Sequence, residues 1–591
     1  ERLVVEWRDG TEPTRIEQPG VNSIYTVIKP NLARRLVKRE ATKTTPMFRE
    51  LPDAISFRHF PNLAKDFDEN PLLFKRLSTA SPAMLCRDFD NDGRLDFGFQ
   101  LARSTGVQVF LNLDGGNFSP VASRYNDPSG LMGNAGWLDG FSVVEGKPNF
   151  LGVLNKIIPA IESLTQSASL TLRGDMDGDG TADAIYITQN TLNDHPAESR
   201  AIVFLNQSGS FRRAVNWEQS LGALGQVTSA VLVDMDEDGD ADLLVSRDLG
   251  AMGLYHNRGH RFVDVSEAFG MLEFVGLWQG LAVGDFDNDG RLDFAAGNLG
   301  RNSPLELYPD GLVHLGRGGK SRLSLYTIKR GGVHLPVDDM DLYANVLDRA
   351  RLPAMYRQFS DIDLAKVLDS FDGLSRTRLN CFETSVFLNR GGKFERRALP
   401  YPAQFSPTSG INVADFDNDG REDLLLSQNL YSLRPDWGRL DSSAGMILLG
   451  QGDGRFEPVR AGVSGLAILG DSRNASVVDF NRDGRTDIVA TQTFGQTQVY
   501  LGQAGKRGIR VGFAANNSLA RRLGARVRLV YPDGSMSPRR WFHSGDGVMA
   551  QCAPEQVLGF GQRPQSIQIE WSNGTKKAIP VVSDKNNYEV P

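Results

Sequence analysis

A nine-residue acidic pattern, D-x-[DN]-x-D-G-x-x-D, occurs six times in this chain, starting at Asp88, Asp175, Asp234, Asp285, Asp415 and Asp479. A repeat in fixed register constrains the fold more than composition does, because each unit must stack on its neighbours to bury its apolar face. Carboxylates at positions 1, 3 and 5 converge if the chain wraps around one point, and glycine at position 6 supplies the sharp turn. The carbonyl of position 7 and the aspartate at position 9 can close an oxygen shell. A hard dication needs about six to eight such oxygens at roughly 2.3–2.6 Å. Four carboxylates gathered without a cation repel one another. Asx turns use one acid each, not four in register, so solvated acidic turns do not account for the pattern.

The candidate ligands are Asp88, Asp90, Asp92, Arg94 and Asp96 in the first loop, and Asp175, Asp177, Asp179, Thr181 and Asp183 in the second. The third offers Asp234, Asp236, Asp238, Asp240 and Asp242, and the fourth Asp285, Asp287, Asp289, Arg291 and Asp293. Asp415, Asp417, Asp419, Arg421 and Asp423 form the fifth set, and Asp479, Asn481, Asp483, Arg485 and Asp487 the sixth. Arginine or threonine at position 7 contributes its main-chain oxygen. The expected cofactor is Ca2+ at about six sites, with a structural role. Position 2 is always Phe or Met, an apolar anchor for each loop. An EF-hand would need glutamate at position 12, where Phe99 and Leu426 stand, so the loops lead into strands and not helices.

Short β-like runs follow the loops, such as Asp242-Leu243-Leu244-Val245-Ser246 and Asp423-Leu424-Leu425-Leu426-Ser427. A second signature comes later in each unit: Val109-Phe110-Leu111-Asn112, Val203-Phe204-Leu205-Asn206 and Val386-Phe387-Leu388-Asn389, each followed by a glycine turn. With 62 glycines and 28 prolines, the chain reads as hairpins in an all-β protein. These repeats resemble FG-GAP/VCBS repeats, the family that includes the integrin α-subunit head. The resemblance implies a seven-bladed β-propeller with a calcium loop in most blades. The gap from Asp293 to Asp415 is too long for one blade. Within it, His314–Arg322 keeps a glycine at position 6 without any carboxylate and reads as a seventh, metal-free blade. The alternative is an unrelated insertion in a six-bladed ring. Tyr343, Val346 and Leu347, then Leu364, Val367, Leu368 and Phe371, show helical spacing around Pro353, so a helical insertion is expected over about 338–371.

From residue 506 a different module begins. Asn516–Leu529, Ser544–Gln551, Leu558–Gly561 and Ile567–Gly574 resemble an ASPIC/UnbV domain, which places the chain near the cartilage acidic protein and UnbV-like family of secreted or surface proteins. Leu3-Val4-Val5-Glu6-Trp7 parallels Ile567-Gln568-Ile569-Glu570-Trp571, so residues 1–30 read as the terminal strands of a second, incomplete module. The expected domains are thus 1–30, a propeller over 31–505, and 506–591. Unpaired strands of that kind seek a sheet edge, and self-assembly through them is expected.

No run of about eighteen apolar residues is present, so no membrane span is expected. The formal charge of −7 would be more than reversed by six dications and does not select a partner. Cys86, Cys381 and Cys552 lack metal or redox spacing, and are either buried thiols or one disulfide with a third cysteine left over. The spacing of His256 and His260 does not define a metal site on a strand or turn. Arg173-Gly174-Asp175 spells an adhesion tripeptide, but its aspartate is already position 1 of a loop. No phosphate loop, dinucleotide fingerprint or hydrolase motif occurs. The expected function is non-enzymatic: an extracellular or cell-surface binding, adhesion or scaffold protein contacting a protein or glycan, without nucleic acid. The alternatives are a secreted enzyme acting on polysaccharide at the propeller funnel, and a subunit of a surface layer or filament.

Overall fold

The computed structural model describes residues 2–5, 14–17, 45–60, 65–70, 73–77, 84–90, 92–100, 107–121, 141–144, 147–150, 169–188, 198–303, 312–318, 321–337, 340–341, 343, 360–368, 374–503, 505–513, 519–543 and 555–590. Residues 1–45 and 46–591 form two compact units. In the first, Arg2–Val5 and Thr14–Glu17 pair as an antiparallel hairpin with Leu3 opposite Ile16. Ser566–Glu570 and Lys576–Pro580 pair in the same manner, Ile567 facing Ile579.

The second unit is all-β and propeller-like. It repeats one plan six times: an inner strand, an acidic loop, a second strand, and an outer hairpin, joined into a four-stranded antiparallel sheet. The inner strands are Met84–Arg87, Ser169–Gly174, Gln226–Val233, Leu281–Gly284, Thr408–Ala414 and Asp471–Val478. Each runs into its loop, and position 9 opens the second strand. The outermost strand of the sixth sheet is Phe48–Glu50, with Phe48 opposite Gly502 and Glu50 opposite Tyr500. That pairing joins the start of the repeats to their end and covers an otherwise open sheet edge.

Stacking follows from strand alternation, since successive side chains point to opposite faces. Leu424 and Leu426 pack with Ala282, Ala295 and Val386 of the fourth sheet, while Leu425 between them packs with Ile488 and Ala490 of the sixth. All three leucines are fully buried; burying each stabilises the fold by about 1.5–3 kcal/mol. Phe97, Phe99 and Phe110 of the first sheet pack on Val478 and Val489 of the sixth, continuing the series.

The segment expected to be a seventh consecutive blade has another place in the topology. Leu312–Gly318 and Ser321–Arg330 are neighbours in a separate four-stranded sheet with Val333–Pro336 and Leu374–Arg378. This sheet is inserted between the second and third strands of the fourth sheet, Asp293–Ala296 and Ser385–Asn389. Gly316 and Gly318 lie on paired strands, opposite Leu323 and Ser321, and Gly319, the glycine at position 6 of His314–Arg322, lies outside the described residues. Of the expected helical insertion, Leu364–Leu368 is helical with Leu364 fully buried, and the buried Tyr343 donates its hydroxyl to the Tyr326 carbonyl at 3.1 Å. Val346, Leu347, Pro353 and Phe371 lie outside the described residues. Cys86 and Cys381 are buried free thiols, and Cys552 lies outside the described residues.

The described residues between 509 and 590 form two small sheets. Ile509–Phe513 pairs with Glu555–Leu558 and, in parallel, with Asn587–Val590. Arg526–Val530 is flanked by Arg540–Trp541 and Ser566–Glu570. Val527, Leu529, Ile567, Ile569 and Trp571 form their shared core.

Candidate metal centres

The loops share one hydrogen-bond plan. The position-1 carboxylate accepts the amide of the position-6 glycine: Gly93 to Asp88, Gly180 to Asp175, Gly420 to Asp415 and Gly484 to Asp479, all at 2.8 Å, with Gly239 to Asp234 and Gly290 to Asp285 at 3.1 Å. The glycines take φ from 81° to 100°, the left-handed region that penalises a Cβ. Position 4 is left-handed too, at Glu237, Asn288, Asn418 and Arg482. Two such turns within three residues curl positions 1, 3 and 5 inward.

The position-9 aspartate stitches the sheet. Asp96 accepts the amides of Phe89 and Asn112, each at 2.8 Å, and Asp183, Asp242, Asp293 and Asp423 repeat the arrangement. Burial raises these carboxyls: Asp96 and Asp183 to about 7, Asp242 and Asp293 to about 8. Burial likewise lifts the position-1 groups Asp285, Asp415 and Asp479 to about 7.

Such a cluster fits a hard dication. In Asp88, Asp90 and Asp96, in Asp175, Asp177 and Asp183, and in Asp285, Asp287 and Asp289, one oxygen from each residue lies within 4.8 Å of the others. Asp234 Oδ1 and Asp287 Oδ1 are buried without a hydrogen-bond partner, a cost that a bound cation removes. The position-7 arginine has a further use that its spacing did not reveal. Arg94, Arg291, Arg421 and Arg485 each pair with the position-5 aspartate of their own loop. Arg94 and Arg291 also donate to the carbonyls of Asn112 and Asn389 on the third strand. Arg173 of the adhesion-like tripeptide donates to the Asp183 carbonyl, and Asp175 is held by Gly178 and Gly180.

Residues 175–245 and 234–296 match the FG-GAP-like repeat, and residues 515–590 match the family described as ASPIC and UnbV. The chain carries FG-GAP-like repeats and an ASPIC/UnbV domain. Cartilage acidic protein 1 of Homo sapiens is 23% identical over 362 residues, covering 59% of this chain and 41% of that protein. The Mus musculus protein is 23% identical over 361 residues, with 59% and 42% covered. The chain thus spans less than half the length of these curated relatives. Among solved structures, the V. cholerae biofilm matrix protein Bap1 aligns at 9% identity and a TM-score of 0.28, over 87% of this chain and 100% of that one. The exo-beta-1,3-galactanase 1,3Gal43A of Clostridium thermocellum aligns at 11% identity and 0.26, over 88% and 97%. Likenesses at such scores carry no inference.

The UnbV domain is seated on the repeat loops, which the sequence did not indicate. Arg526 donates to Asp234 Oδ2 at 2.6 Å, and the Gly559 amide donates to Asp415 Oδ2 at 3.0 Å. Glu555 accepts the Asp479 amide at 2.8 Å and pairs with Arg510. Glu422, at position 8 of the fifth loop, accepts the Asp285 amide at 2.6 Å and pairs with Arg540 at 3.1 Å. A cavity beneath the domain is lined by Val283, Asn412 and Ala475 of three inner strands, and by Arg540, Trp541 and His543. The third loop also brings His256 to Asp236 and Asp242. The spacing of His256 and His260 defines no paired site, and the structure groups His256 with aspartates of the loop instead.

Proposed function

We propose that the chain is an extracellular binding or scaffold protein, a propeller whose Ca2+ ions are structural. One observation carries this reading: the carboxylates that would hold a cation also order the strands and seat the UnbV domain, so ion binding and architecture share the same atoms. Bound Ca2+ would supply positive charge at the centre of each loop. Positions 1, 3, 5 and 9 and the position-7 carbonyl would hold it, position 9 joining loop and sheet as well. We further propose seven blades. The apolar faces of the second to sixth sheets pack in series and the sixth packs on the first. The remaining place falls between the first and second, where the hairpin Phe141–Val144 and Lys147–Phe150 stands in the chain.

The partner is taken to be a protein or glycan at a cell surface. No helix among the described residues is long and apolar enough to cross a membrane. A glycan array and a protein pull-down, run beside a polysaccharide-hydrolysis screen with and without chelator, test the proposal. Turnover of a polysaccharide at catalytic rates would overturn it; Ca2+-dependent capture without turnover is expected.

A further inference from the structure

In five of the six sheets the third strand carries a leucine just before the residue whose amide donates to the position-9 aspartate. These are Leu111, Leu205, Leu388, Leu449 and Leu501, preceding Asn112, Asn206, Asn389, Gly450 and Gly502. In the third sheet the place belongs to His256, preceding Asn257. His256 is 4% exposed, and its ring stands edge-on to Phe269 at 5.4 Å. Its Nδ1 lies 3.0 Å from Asp236 Oδ2. One atom each of Asp236, Asp242 and His256 falls within 4.8 Å of the other two.

The same Nδ1 faces Arg258 Nη2 at 3.0 Å. A guanidinium only donates, so Nδ1 accepts and cannot also give a proton to Asp236. An imidazole lone pair and a carboxylate oxygen thus meet as two acceptors, and Arg258 Nη2, 3.2 Å from that oxygen, is the cation lying between them in the place a metal ion would take. Nε2 then carries the ring proton. Both Nε2 and the nearby Asp234 Oδ1 are buried without a hydrogen-bond partner.

We infer that the third loop is a mixed nitrogen and oxygen site for a transition-metal dication such as Zn2+, with His256 Nδ1 as a ligand beside Asp234, Asp236 and Asp242. This assignment rests on the reading of the loops as metal centres. Imidazole suits Zn2+ and its neighbours, whereas carboxylate and carbonyl oxygens alone suit Ca2+. The leucine of the other five sheets offers no donor. Binding displaces Arg258, which spans Asp236 at 3.2 Å and Asp238 at 2.7 Å.

The test uses the full chain, stripped with chelator, then equilibrated with a large excess of Ca2+ and a slight excess of Co2+ over chain, as a coloured Zn2+ substitute, before unbound metal is removed. Wild type is expected to retain one Co2+ per chain, with a visible absorption band that Zn2+ abolishes. His256→Leu, which restores the residue of the other sheets, is expected to lose Co2+ affinity by about 10–100-fold or more while the other loops keep their Ca2+. Arg258→Ala is expected to bind Co2+ more tightly than wild type. Equal Co2+ retention by wild type and His256→Leu, or none in either while Ca2+ is bound, overturns the inference and leaves the loop reading standing. Failure to bind Ca2+ as well overturns both.

Discussion

The first two acidic loops stand half open to solvent, whereas the third, fifth and sixth lie under the UnbV domain. Asp88 and Asp175 are only partly buried; their counterparts Asp234, Asp415 and Asp479 are 4%, 1% and 1% exposed. The nine-residue pattern is nearly identical in both groups, so the motif sets which carboxylates gather and the cover determines how far each loop is coupled to the rest of the molecule. An open loop orders its own sheet. A covered loop also holds a domain in place.

Removing the metal should have the largest effect and act on both groups. Each site saturated at a hundredfold excess over its Kd contributes about 2.7 kcal/mol, so chelation is expected to lower the melting temperature by many degrees in calorimetry. The pH dependence should disappear with the metal bound. Position-9 carboxyls raised by burial to about 7 or 8 favour the protonated folded state. In chelator, their contribution is therefore complete below pH 4 and lost as pH rises through 7 to 8. With Ca2+ present, the carboxyls are held ionised in the folded state as they are in the unfolded one, and stability should stay nearly constant over the same window.

Next in size is the seating of the domain. Arg540→Ala leaves Glu422 buried without its cation, and breaking such a pair costs about 3–5 kcal/mol. Denaturant unfolding should show this loss. Asp415→Ala removes a covered loop carboxylate and an acceptor for Gly559, and is expected to destabilise more than Asp88→Ala in an open loop. Equal losses would remove the distinction between the two groups. The smallest effect is expected for Arg539→Ala, whose pair with Glu237 is partly exposed and contributes about 0–1 kcal/mol.

What the sequence disclosed follows the same division. The loops were legible because their carboxylates lie within nine residues, and the strands because apolar side chains alternate after each position 9. The pairing of Phe48–Glu50 with Gln498–Gly502 left no local signal, since its partners lie at opposite ends of the repeats. Arg540 and Glu422 are likewise ordinary charges until the fold buries them together. Position 4 carried an unread clue: Asn288 and Asn418 tolerate the left-handed backbone that each takes. His256 looked isolated because strand pairing, not sequence spacing, brings it to Asp236.

Metal analysis of the natively purified, folded chain tests the central claim most directly. About six tightly held divalent ions per chain, released together with a fall in melting temperature when chelator is added, is the result expected. A folded chain that holds no divalent ion, and melts at the same temperature with and without chelator, would contradict it.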